Sequence, residues 1–183
     1  VVDRADAYLR DMQRELGPIH IVHKERHAPS RWLGALLRIV TLGGMSTYVT
    51  HYTTVLGHTI YLPKGWADRT ETERYVTLRH EAVHLRQMDR YGRIWMGFLY
   101  AMPFFPIGLA WFRARIEWEA YAETLRAVAE TDGLEAARHP KMRAHIVKQF
   151  TGPAYGFMWP FPKTIESWID AELASIALAR GAR

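Results

Sequence analysis

Apolar positions first follow a helical rhythm. Along 3–16, Ala7, Tyr8, Leu9, Met12 and Leu16 are set among charged residues, which predicts an amphipathic helix stopped by Gly17-Pro18. A short strand is expected over 19–23. Ser30 suits the cap of a second helix over 31–40, which Gly43-Gly44 would end. The pattern then shifts. Residues 46–62 are rich in Thr, Tyr and Val, and 48–53 and 59–62 read as strands joined near Leu56-Gly57. Helical spacing returns after Pro63 and dominates the rest. Helices are expected over 71–90 and 114–130, a broken helical segment over 134–150, and a last helix over 164–179. Thr131-Asp132-Gly133 breaks the chain after 130, and 151–156 with 159–162 form Gly/Pro-rich loops. The expected class is α+β, mostly helical, with a small antiparallel or mixed sheet ahead of the 71–90 helix. A length of 183 residues, 49% of them hydrophobic, fits a single domain over 1–183 with a sizeable core.

The 71–90 helix has the clearest punctuation. Thr70 and Glu73 form a T-x-x-E capping box, Glu71 suits the positive helix start, and no Pro or Gly intervenes before Gly92. Well inside those ends lies His80-Glu81-Ala82-Val83-His84, an H-E-x-x-H run. Residues four apart project from one helix face a turn apart, so imidazoles at 80 and 84 can grip one metal ion. Glu81 is then placed to act on a water held by the metal instead of on the metal itself. With 9 His and 12 Glu in the chain, random placement would produce this pattern roughly 0.03 times. Two helix histidines paired with surface groups are the plain alternative. The motif points first to a zinc-dependent peptidase.

A catalytic zinc usually takes three protein ligands and keeps one position open. The longer pattern H-E-x-x-H-x-x-G-x-x-H requires Gly at 87 and His at 90. This chain has Gln87 and Arg90, which excludes that ligand set. There is no cysteine, so thiolate ligands, disulfides and cysteine nucleophiles are excluded too. A carboxylate from a later helix remains, and 117–123 offers Glu117, Glu119 and Glu123. Glu117 shares its face with Ala120, Tyr121, Thr124 and Val128, a largely core-facing stripe. Glu119 shares its face with Glu123, Arg126 and Glu130, a solvated and ion-paired one. Two positions on a helix turn through roughly 200°, so Glu117 and Glu119 cannot both face one ion. Glu117 is the expected third ligand, with Glu119 the alternative.

An H-E-x-x-H helix followed by a glutamate helix resembles the gluzincin zinc metallopeptidases, in particular the compact single-domain minigluzincins. Glu117-Trp118-Glu119-Ala120 also looks like the first four positions of the E-x-x-A-D helix of membrane-linked gluzincins, with Tyr121 where that pattern has Asp. The resemblance covers residues 58–130. It implies a zincin-like fold, Zn2+ held by His80, His84 and Glu117, and endopeptidase activity on a peptide or protein substrate. Glu81 would be the general base that takes the proton of the attacking water and passes it to the departing amine. The tetrahedral oxyanion needs a positioned donor. Tyr155, in the Gly/Pro-rich turn, is the expected one and His145 the runner-up; aromatic packing is the plain alternative for Tyr155. An edge strand ahead of the motif helix can hold an extended substrate by main-chain hydrogen bonds, or form an ordinary hairpin over the helix.

Charge changes this picture little. The net +5, from 24 basic and 19 acidic residues, is spread along the chain and forms no nucleic-acid-binding block. Ile94 through Phe112 is a run of 19 residues without a charge, close to the length of a transmembrane helix. Pro103 and Pro106 divide it into stretches of 9 and 6 residues, about 13 and 9 Å long as helix. A single crossing would also put the histidines and Glu117 on opposite sides of a bilayer. Two readings stay open: a buried helix–turn–helix, or an apolar hairpin making a peripheral membrane contact through 94–112. The alternative function is a non-catalytic zinc-binding or membrane-surface interaction protein, although a structural zinc site has no need of Glu81. A cytoplasmic setting is expected, with membrane association the alternative; oligomeric state is not encoded in these patterns. The start at Val1-Val2-Asp3 fits a trimmed or processed chain without a secretory signal.

Overall fold

Thr70 and Glu73 cap each other, and the helix they start is the one that carries the histidine pair. The Glu73 amide donates to Thr70 Oγ1 at 3.2 Å, and the Thr70 amide donates to Glu73 Oε2 at 2.8 Å. Donors that the first turn would otherwise leave unsatisfied are thereby used. At the other end Gly92, with φ 79°, turns the chain out of helical geometry while its amide donates to Met88 O at 2.8 Å. A residue without Cβ adopts that conformation at little cost.

The computed structural model describes residues 3–24, 53–92, 94–96, 110–153 and 157–181. In chain order its elements are α1 (Arg4–Leu16), β1 (His20–His23), β2 (Thr54–Leu56), β3 (Thr59–Leu62), a 3-10 turn at Trp66–Asp68, α2 (Glu71–Tyr91), α3 (Trp111–Asp132), α4 (Leu134–Arg138), α5 (Pro140–Thr151) and α6 (Pro162–Gly181). The fold is α+β and mostly helical, with a small sheet ahead of the motif helix. Two compact units divide the chain, 1–93 and 94–183. The expected helix over 31–40, and all but the last residue of the expected strand over 48–53, lie outside the described residues.

In the first unit α1 lies along α2, and the two run parallel. Asp3, which caps α1 by accepting from the Ala5 amide at 2.8 Å, also takes a 2.5 Å hydrogen bond from Arg74 near the start of α2. One turn further along, Tyr8 meets Tyr75 edge-on with centroids 5.4 Å apart. At the far end Glu15 pairs with Arg86. Ala5 and Met12 are buried along α1, as are Tyr75, Leu78, Ala82 and Leu85 along α2. Fully burying a side chain of Leu or Met size contributes about 1.5–3 kcal/mol, so this seam stabilises the motif helix more than its surface ion pairs do.

The sheet is mixed, in the order β1-β3-β2. β1 pairs with β3 in parallel, from His20↔Thr59 to His23↔Leu62, and β2 pairs with β3 antiparallel, from Thr54↔Tyr61 to Leu56↔Thr59. Ile60 and Leu62 are buried while Thr59 and Tyr61 are half-exposed, the alternation of a strand with one face on a core. The hairpin turns at Gly57-His58, close to where the sequence places it, and the described strand ahead of the turn is Thr54–Leu56.

In the second unit α3 starts at Trp111, three residues before the expected point, because the uncharged run masks its first turn. Gly133, at φ 93°, ends it. The broken segment resolves into α4 and α5. Pro140 has no amide to donate and holds His139 extended, at ψ 133°, so α5 must start afresh. Trp168 of α6 is the hub of an aromatic cluster, with ring centroids 5.7 Å from Trp111, 5.5 Å from Trp118 and 6.4 Å from Phe150. Arg126 binds Glu172 through two hydrogen bonds of 2.7 and 3.1 Å, and Arg143 pairs with Asp170. These contacts hold α3 and α5 against α6.

Candidate metal centre

The motif helix α2 sets its imidazoles one turn apart. The His80 and His84 rings have centroids 5.1 Å apart, inclined at 76°, and both residues are half-buried. Glu81 points elsewhere on the helix circumference and is buried, 5% exposed. Helix α3 divides as its sequence implies. Glu117 is 1% exposed, with Ala120, Tyr121 and Val128 buried on the same stripe. Glu119 and Glu123 are half-buried, and Arg126 and Glu130 are exposed.

Three ligand atoms, one from each of His80, His84 and Glu117, all lie within 4.8 Å of one another. On a tetrahedral zinc with bonds of about 2.0–2.2 Å, adjacent ligand atoms sit roughly 3.3–3.5 Å apart. The donors therefore need to close by about 1.5 Å at most to hold such an ion. Two imidazoles and one carboxylate are also a donor set that catalytic zinc uses, with room for a fourth ligand. Glu81 is not one of the group.

Two buried polar side chains adjoin these residues in the first unit, and the sequence signalled neither. Gln87 is 1% exposed, and its Oε1 lies 2.9 Å from His84 Nδ1. In the sequence Gln87 figures only as the residue that breaks the longer three-histidine pattern. Its i,i+3 spacing from His84 is the signal that could have found it. Lys24, immediately after β1, is fully buried. Burial pushes its ammonium down to about 8, and the Glu81 carboxylate pulls in the opposite direction. A lone lysine after a short strand carries no pattern, and the proximity of Lys24 to Glu81 is a product of the tertiary fold.

Other expected residues fare differently. Tyr155 lies outside the described residues. His145 is on the exposed side of α5. Tyr121, at the position where the E-x-x-A-D pattern has its acid, is buried and packs on Phe150 with centroids 5.5 Å apart. Among the other histidines, His139 caps α5 by accepting from the Lys141 amide at 3.2 Å, and His58 Nε2 lies 3.6 Å from Asp89. His20 and His23 are exposed on β1. At the borders of the uncharged run, Ile94 is 88% exposed, Trp95 64% and Phe112 61%. Among the described residues no helix is long and apolar enough to cross a membrane. No family model, curated protein or solved structure matches this chain.

Proposed function

We propose that this protein is a zinc-dependent endopeptidase of the gluzincin type. The observation that carries this reading is the approach of the His80, His84 and Glu117 ligand atoms to within 4.8 Å, beside a buried glutamate that is not one of them. His80 and His84 would bind zinc as neutral imidazoles, and Glu117 as a carboxylate. When bound, zinc supplies Lewis acidity towards a water molecule and a substrate carbonyl.

The chain's own groups do the rest. Glu81 accepts the proton of the attacking water on its carboxylate and delivers it to the departing amine nitrogen. Burial keeps bulk water from competing for that proton, and the Lys24 ammonium is near enough to interact with the Glu81 carboxylate through charge. The peptide substrate is extended, and Tyr155 is the proposed donor to the tetrahedral oxyanion. A structural zinc site would have no use for a carboxylate kept off the metal, which favours hydrolysis over a purely structural role.

The test is Glu81→Gln. The variant should retain zinc at near wild-type stoichiometry by metal analysis, while hydrolysis of a peptide library falls by about 10²–10⁴ or more. Undiminished hydrolysis in this variant removes the mechanism; absence of zinc from the purified wild type removes the metal centre.

The exposed Ile94, Trp95 and Phe112 support a second reading, in which this part of the chain makes a peripheral membrane contact. Flotation with anionic liposomes should be lost on substituting Trp95 and Phe112 by Ser. Equal flotation of variant and wild type, or none of either, would dismiss it.

A further inference from the structure

We propose that Gln87 is a positioning residue that fixes the tautomer of His84. Its side-chain carbonyl accepts from Nδ1–H and leaves the lone pair of Nε2 as the one offered to a metal ion. The inference rests on the metal-centre reading above and names a residue that the H-E-x-x-H pattern does not include.

The argument begins with what each atom can do. An amide oxygen only accepts, so an imidazole nitrogen 2.9 Å from Gln87 Oε1 must be the one that carries hydrogen. A neutral imidazole has a single N–H. With that proton on Nδ1, Nε2 is bare, as a ligand nitrogen must be. A free histidine side chain favours the opposite tautomer, with the proton on Nε2, so the amide reverses the intrinsic preference. The reversed amide, with its NH₂ towards Nδ1, would put the proton on Nε2 and block that nitrogen as a ligand. Orientation of this one amide therefore decides whether the site is ready for metal.

Location keeps the amide in place. Gln87 is 1% exposed and sits three residues after His84 on the same helix, so the pair needs no loop or distant element to meet. Metal-binding histidines generally donate their second N–H to such an acceptor. The acceptor for His84 Nδ1–H comes from the motif helix itself. An amide also adds no charge. Zn2+ with two neutral imidazoles and one carboxylate keeps a net +1, which a glutamate at 87 would cancel.

The experiment is nitrogen-15 NMR of the histidine-labelled, metal-free full chain, at a pH where imidazole is neutral. Zinc affinity is measured beside it by competition with a chromophoric chelator. In the wild type, His84 should carry its proton on Nδ1. Gln87→Met keeps length and helix propensity but offers only a weak thioether acceptor; it should shift His84 towards the Nε2–H form and weaken zinc binding about 10- to 100-fold. Gln87→Glu, a pure acceptor, should restore both, which a merely space-filling role would not achieve. A wild-type His84 protonated on Nε2 overturns the inference whatever the variants do. So does a Gln87→Met protein with wild-type tautomer and wild-type affinity. The Nδ1–H form in a wild type that binds no zinc would overturn the metal centre and uphold the tautomer assignment, so the two failures are separable.

Discussion

Arg86 closes on Glu15 through two parallel hydrogen bonds, Nε to Oε1 and Nη2 to Oε2, each 2.8 Å long and spanning 71 residues of sequence. That fork holds the Glu15 carboxyl below its usual 4.5, chiefly through the hydrogen bond from Arg86. Because the folded-state pKa is depressed, the pair stabilises the fold above the unfolded pKa, and that contribution is lost as pH falls through the folded one. Glu15 is about half-exposed, which keeps the effect small. Glu15→Gln should cost about 0.2–1 kcal/mol at neutral pH. The difference from wild type should shrink in acid, as read from urea unfolding across a pH series. A difference that widened in acid would contradict the pairing.

The capping box makes a parallel prediction for the other end of α2. The Thr70 amide, and then its hydroxyl, hold the Glu73 carboxyl below 4.5. Thr70→Ala should lower stability by about 0.5–2 kcal/mol, and Thr70→Ser should recover most of it. Thermal unfolding of the three proteins at neutral pH measures this. Equal midpoints for Ala and Ser would mean that the hydroxyl contributes nothing.

Glu117 and Glu119 separate the two faces of α3. Glu117→Ala should lose zinc far more than Glu119→Ala, since Glu117 belongs to the ligand group and Glu119 does not. Metal content after dialysis against a weak chelator gives the order. The reverse order would assign the wrong carboxylate.

Lys24 gives a prediction of opposite sign to those carboxylates. Its folded-state pKa of about 8 is below the ordinary 10.5, so burial disfavours the charged form. Between these values the unfolded chain binds more protons, and stability rises with pH there; below about 8 the full penalty applies. Lys24→Met should therefore stabilise the fold at neutral pH by about 1–3 kcal/mol, an advantage that fades as pH climbs towards 10.5. Its hydrolytic activity should fall, because Glu81 loses a neighbouring positive charge. Guanidinium unfolding at several pH values, with activity measured beside it, reads both effects. A destabilised Lys24→Met at neutral pH would show that the ammonium's contacts outweigh its burial.

What the sequence makes legible here is whatever is encoded within a few residues. The capping box at Thr70, the stop at Gly92, the one-turn spacing of His80 and His84, and the buried stripe of Glu117 are all short-range consequences of helix geometry. Strand pairing is not short-range. The parallel match of His20–His23 with Thr59–Leu62 joins segments far apart in sequence, and no local pattern specifies it. Lys24 is hidden for the same reason. Gln87 was hidden differently: its spacing was available, but a pattern built for glycine at that position draws the eye to what is missing and away from what an amide can do.

The parallel course of α1 and α2 bears on how the chain assembles. The motif helix carries its own start and stop, whereas its clamp, Glu15 on α1, lies 71 residues upstream of Arg86. Closing so long a loop is entropically slow even though each doubling of its length adds only about 0.6 kcal/mol. During synthesis α1 emerges first and must keep Met12 and Ala5 uncovered until α2 leaves the ribosome. Until the two helices dock, the apolar faces of both stand uncovered, which leaves a newly made chain open to aggregation and proteolysis.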